Sequence, residues 1–254
     1  MNDKIKSKKT CVIFNFFDDN GKDKLRTRNL KFFIDIGVKD YQNIDCYIID
    51  RNEDNIKLEL PDNVRIIKYE NVGICINGYK YGLNNIDIEK YDYFCFMNDS
   101  MIGPFMPNNC NWVDHFSTIL ENGNSVVGSY QQNNIPQTGF FLVKKQGAII
   151  LSSFLNKYDI ITSYDALKLE CACIIQIMKE TKLPSEGTLP KGTRWTHEHD
   201  IFQVIFDKAN RIGENKSIFH KSRPNGISKD INFITPNKLD EAIQLCYKNI
   251  AVKK

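Results

Sequence analysis

Short, unbroken apolar runs, each stopped by polar residues, set the rhythm of the first hundred positions. Cys11-Val-Ile-Phe-Asn-Phe-Phe, Cys46-Tyr-Ile-Ile-Asp and Val64-Arg-Ile-Ile-Lys-Tyr are rich in β-branched and aromatic residues. Such runs predict strands buried on both faces, as parallel strands are. Between the first two, Leu25 to Gly37 carries Leu30, Phe33 and Ile34 and closes on glycine, which predicts a helix with a glycine stop. Strand–helix–strand order implies a right-handed crossover and an open α/β sheet. A further helix over roughly 79–90 leads into Tyr93 to Met97, a fourth strand that ends abruptly in Asn98-Asp99-Ser100. Gly103-Pro104 and Pro107 are expected to end regular structure there.

The second half changes style. Ser125-Val-Val-Gly and Gly139-Phe-Phe-Leu-Val predict short strands, and Ser163 to Thr181 predicts a long helix. A Pro/Gly-containing loop over 183–196 follows. His199 to Ala209 reads as a helix with Ile201, Phe202, Ile205 and Phe206 on one face. Thr235-Pro236 opens a last helix carrying Leu239, Ile243, Cys246 and Ile250 at helical spacing. The expected organisation is a basic tail at 1–9, then one domain over 10–254. Its first half covers about 10–107 and its second about 108–254.

Composition sharpens this picture in three ways. With 42 % hydrophobic and 26 % charged residues among 254, a packed core is expected and disorder is not. A net charge of +3 argues against a protein that coats nucleic acid, whose affinity rests on concentrated phosphate neutralisation. No apolar run approaches the roughly 20 residues that span a bilayer, so a cytoplasmic location is the expectation. Eight cysteines without a single CxxC pair read as small, reduced hydrophobes rather than a zinc site.

In an open α/β sheet, ligands bind beyond the carboxyl ends of the strands. That directs attention to Asn15 with Phe16, to Asp50, and to Asn98-Asp99-Ser100. The last segment, with Gly103-Pro-Phe-Met-Pro107 behind it, resembles the GT-A class of nucleotide-sugar glycosyltransferases, especially small virus-encoded and algal or bacterial members. The resemblance is strongest over Tyr91 to Pro107. It implies a GT-A-like domain with a mixed, mainly parallel central sheet flanked by helices, the half over about 10–107 binding the nucleotide and the half over about 108–254 the acceptor. It also implies a nucleotide-sugar donor, UDP-linked in the first instance, and a glycan or glycoprotein acceptor. The class usually carries Asp-x-Asp at this strand end; here Asn98 and Ser100 stand where the acids would, and Asp99 alone is acidic. A carboxylate at that place can hold Mn2+ or Mg2+ against a departing diphosphate. One favourable charge contact near 4 Å, at an effective dielectric of about 20, is worth roughly 4 kcal/mol.

By the same resemblance, His220 would complete the metal shell with Asp99, and Lys221 and Arg223 would hold the diphosphate. Glu198 and Asp200 would act on the acceptor side, as general base or as stabiliser of an oxocarbenium-like sugar. Asn15, Phe16, Asp50, Asn98, Ser100 and Gln137 complete the expected binding set for base, ribose and sugar. Each has a plainer reading: Asn98-Asp99-Ser100 as an ordinary turn, Phe16 as core, the acids at 198–200 as a helix start. GxGxxG, Walker A and GxSxG patterns are absent from the sequence. Two alternatives stay open. One is another nucleotide-dependent transferase, such as a nucleotidyltransferase with a second acid beside Asp99; the other is a glycosyltransferase-like binding module without catalysis.

Overall fold

The computed structural model describes residues 8–17, 24–50, 56, 58–69, 75–105, 111–128, 131–132, 135–187, 205–208 and 244. The predicted strands form as β1 (Thr10–Asn15), β2 (Ile44–Asp50) and β3 (Val64–Lys68). Helix α1 (Lys24–Phe33) joins the first two and continues as a π-helical turn, Ile34–Val38. Helix α2 (Cys75–Asn85) leads to β4 (Tyr93–Asn98), then β5 (Met101–Phe105) and α3 (Trp112–Glu121). β6 (Val126–Gly128), the two-residue strands β7 (Gln131–Gln132) and β8 (Ile135–Pro136), and β9 (Phe140–Lys144) follow. The described chain closes with α4 (Lys145–Leu155), α5 (Ser163–Thr181), β10 (Ser185–Gly187) and β11 (Ile205–Lys208).

Seven strands make one sheet in the order β10-β6-β9-β4-β1-β2-β3. All its pairings are parallel except those of β9, which runs against both β4 and β6. The mixed, mainly parallel α/β architecture expected from the sequence is therefore present. Strand residues alternate between two cores, as a period of two requires. Cys11, Ile13, Phe94, Phe96, Phe141 and Val143 face α2, α4 and α5. Val12, Phe14, Cys46, Ile48, Cys95 and Leu142 face α1 and α3. The thiols of Cys11, Cys46 and Cys95 are fully buried and free, and burial pushes each pKa up, so they remain protonated apolar filler. Helix α5 begins where the sequence placed it because Thr162 and Asp165 form a reciprocal cap: each side chain accepts the other's backbone N–H.

Several elements depart from the sequence reading. Ser185–Gly187, expected within a loop, is the edge strand β10 beside β6, and the first helix runs through Gly37 to Val38 as a π-helical turn. Gly103-Pro104 does not end regular structure; β5 runs through it. A proline is tolerated because β5 lies in a separate two-stranded sheet with β11, where not every N–H is needed. And 205–208, read as part of a helix, is the strand that pairs antiparallel with β5, with Ile205 opposite Phe105 and Lys208 opposite Met101. A ladder partner about a hundred residues away outweighs the local period. The last helix expected from 236 onward lies outside the described residues except for Gln244. No helix of the described residues is long and apolar enough to cross a membrane.

The amino edge of the sheet is stapled by ions. Lys8 donates to Tyr93 Oη and Glu121 Oε1, and Lys144 donates to Glu121 Oε2. Lys9 pairs with Asp45, and its backbone N–H donates to Asp92. These hydrogen bonds from Lys8, Tyr93 and Lys144 pull the Glu121 pKa down to about 2. A carboxylate depressed in the folded state adds stability above its unfolded value, and that stability fades as pH falls toward the folded value. Melting temperature should therefore decline between pH 4.5 and about pH 2. Because Glu121 is half-exposed, the contribution is about 1 kcal/mol or less. Glu121→Gln should flatten that limb of a thermal-melt series; an unchanged slope would show that the pair carries no stability.

Candidate functional site

The geometry of the site follows from a reversal in the order of the strands. From β1 the chain moves outward through β2 to β3, with α1 on one face. From β3 it returns through α2 on the opposite face to β4, on the other side of β1. The connections out of β1 and β3 thus leave toward opposite faces, and the strand order reverses at β1 and β4; in open α/β sheets a ligand crevice lies beyond the carboxyl ends at such a reversal. Asn15 and Asn98, the last residues of these strands, are register partners, and Ile49 of β2 pairs with Asn15 on its other side.

The turn after β4 stands at this edge. Asn98 Oδ1 accepts from both the backbone N–H and the hydroxyl of Ser100, which fixes a two-residue turn into β5. Asp99 N–H donates to the Asn15 carbonyl at 3.1 Å. Its carboxylate is 5 % exposed and faces inward. One oxygen accepts the Phe17 N–H at 2.6 Å, and both accept from Arg26 Nη1 at 3.0 Å. Arg26 Nη1 also donates to the Phe17 carbonyl, and Asn29, fully buried on α1, donates to the Asp99 carbonyl at 2.8 Å. Asp99 thus ties together the loop after β1, helix α1 and the end of β4. The guanidinium that neutralises it is one-third exposed and stands beside the Phe17 ring.

Asn15 is the other polar group brought in. It is 4 % exposed, and its Oδ1 has no hydrogen-bond partner among the described residues. It fits only because residue 78 of α2 is glycine: a Cβ there would overlap the Asn15 amide. Asp50 ends β2 at the same edge, 2 % exposed, and its carbonyl accepts the Tyr69 N–H. On the β9 side, Asn98 N–H donates to Gly139 O, and Tyr79 Oη donates to Thr138 O. The half-buried Gln137 precedes them in the chain.

Of the residues expected from sequence, Asn15, Asp50, Asn98, Asp99 and Ser100 therefore share the carboxyl edge, with Gln137 near it. Phe16 needs correcting: it is 1 % exposed and packed in the core on the α1 side, so it has no face to offer a base. Alternation along the strand turns it inward and leaves Phe17 as the aromatic ring at the mouth. Glu198, Asp200, His220, Lys221 and Arg223 lie outside the described residues. Sequence reasoning missed Arg26, Asn29 and Gly78. The available signal was Asn29, a polar residue in the middle of α1 directly before the apolar Leu30, on the buried side of the helix.

A divalent cation needs several oxygen or nitrogen donors. Among the described residues no group of three or more His, Cys, Asp or Glu side chains comes together. The one carboxylate expected to bind metal already faces a guanidinium, so the described donors do not fit Mn2+ or Mg2+.

No protein-family model and no curated protein matches the chain. Among solved structures, 4-diphosphocytidyl-2C-methyl-D-erythritol synthase from Anaerococcus prevotii aligns with a TM-score of 0.42 at 11 % identity, over 75 % of this chain and 92 % of that one. A protein described as a nucleotide-diphospho-sugar transferase from Desulfovibrio desulfuricans aligns with a TM-score of 0.43 at 13 % identity, over 72 % of this chain and 82 % of that one. At such identities and scores the likeness says nothing about what this chain binds or does.

Proposed function

We propose that the chain is a glycosyltransferase that moves a sugar from a UDP-sugar to a hydroxyl of a glycan or glycoprotein acceptor. The observation that carries this reading is Asn15: a buried amide with an unused oxygen, at the crevice where the strand order reverses. A buried acceptor left without a partner costs about 1–3 kcal/mol; the oxygen lies against Gly78, and a uracil N–H or ribose hydroxyl would satisfy it once the amide turns from α2 toward the strand ends. Asp50 on the neighbouring strand end and the Asn98–Ser100 turn would flank the ribose and diphosphate, and Gln137 the donor sugar. Glu198 and Asp200 are the proposed acceptor-side acids, and Lys221 and Arg223 the proposed diphosphate contacts. The pairing of β5 with β11 supports this, because it ties the chain just downstream of Asp200 to the strand that leaves the Asp99 turn.

The test is a thermal-shift panel of nucleoside diphosphates and nucleotide sugars, followed by analysis of products. At about 100-fold excess over Kd, a bound ligand adds roughly 2.7 kcal/mol of stability. UDP and at least one UDP-sugar should give that shift, and turnover should release UDP. Release of pyrophosphate would instead identify a nucleotidyltransferase, binding without turnover a binding module. No shift with any nucleoside diphosphate would overturn the assignment.

A further inference from the structure

The resemblance that predicts a divalent metal assigns it to Asp99, with His220 completing the shell, and the oxygens of Asn98 and Asp99 are already committed. Asn98 Oδ1 holds Ser100 through two hydrogen bonds, one of them from the Ser100 hydroxyl. Both Asp99 oxygens accept from Arg26, and one also accepts the Phe17 N–H. To ligate Mn2+, Asp99 would have to release the guanidinium and leave the Phe17 N–H without its acceptor. The metal would then sit against a like charge a few ångströms away, which disfavours both cations. Arg26, by contrast, is fixed by the carboxylate and one-third exposed at the mouth of the crevice. Its fork of donors suits phosphate oxygens.

We infer that Arg26, positioned by Asp99, is a phosphate-binding cation of this crevice in addition to the proposed Lys221 and Arg223, and that a nucleoside diphosphate binds here without a divalent metal. The inference rests on the reading of the crevice as a nucleotide-sugar site. Arg26 is held by the protein and is present before ligand arrives, so binding has no metal-loading step. Asp99 acts as a positioning residue: it touches the guanidinium and the loop after β1, and acts on ligand through them.

The experiment is calorimetric titration of the full chain with UDP, in EDTA and in Mn2+. The two dissociation constants should agree within about twofold, while Arg26→Gln should weaken binding about tenfold or more in EDTA, with partial recovery in Arg26→Lys. Melting curves of each variant, taken in parallel, confirm that the chains are folded. Tightening by about tenfold or more with Mn2+ in the wild type would overturn metal independence. A titration of Mn2+ alone, followed by its free-ion EPR signal, gives a readout that needs no nucleotide. Loss of signal in wild type but not in Asp99→Asn would assign the metal to Asp99 and sink the inference; an unattenuated signal in both supports it. Absence of UDP binding in either buffer would remove the nucleotide reading itself, whatever the Mn2+ titration shows.

Discussion

Replacing Arg26 with alanine should destabilise the protein by about 3 kcal/mol, because it leaves a buried carboxylate without its counter-charge. Asp99 is only 5 % exposed on its side chain, so water cannot take over the role of the guanidinium. For a chain of this size that loss lowers the melting temperature by about 10 °C. Asp99→Asn should cost less, about 1–2 kcal/mol. The amide keeps an acceptor for the Phe17 N–H, and Arg26, one-third exposed, can turn to solvent. The decisive measurement is the double variant Arg26→Ala/Asp99→Ala in a denaturant cycle with the two alanine singles. The pair should be less damaging than the sum of its singles by about 1 kcal/mol or more, since removing both partners strands neither charge. Additive losses would show that the two residues act separately and that the strand-end edge is not built on their contact.

The second large effect is expected at Gly78. An alanine in an exposed helix interior is normally worth about 1 kcal/mol over glycine. Here the added methyl would overlap the buried Asn15 amide, so that side chain or α2 must shift. Overpacking of this kind costs about 1–3 kcal/mol and should reverse the sign, leaving Gly78→Ala less stable than wild type. The same displacement moves an amide of the strand-end edge whose oxygen is unused, so UDP affinity should fall about tenfold or more. Adding Asn15→Ala to Gly78→Ala should restore stability, since the space is returned, while binding stays weak. Recovery of both, or a stabilising Gly78→Ala alone, would show that Asn15 has no part in the ligand site.

Both predictions rest on contacts that local sequence only half reveals. Strand ends were legible because apolar runs stop sharply at Asn15, Asp50 and Asn98, and parallel strands of one sheet must share a carboxyl edge. Helix α5 was legible because its period and its cap are contained within its own residues. Phe16 was ambiguous because a strand boundary off by one residue turns a side chain from the rim into the core.

The sequence by itself determined the alternation of strands and helices, the residues that end each strand, and the isolation of Asp99 as the sole acid of its motif. Periodicity and chain punctuation are written within a dozen neighbouring residues. Only the tertiary structure decided that Asp99 faces Arg26 across 73 positions, that Gly78 makes room for Asn15, and that 205–208 is a strand beside β5. Those outcomes depend on which distant segments meet, and a pairing partner or a counter-charge from far along the chain can outweigh local preference once folding places it within hydrogen-bond reach.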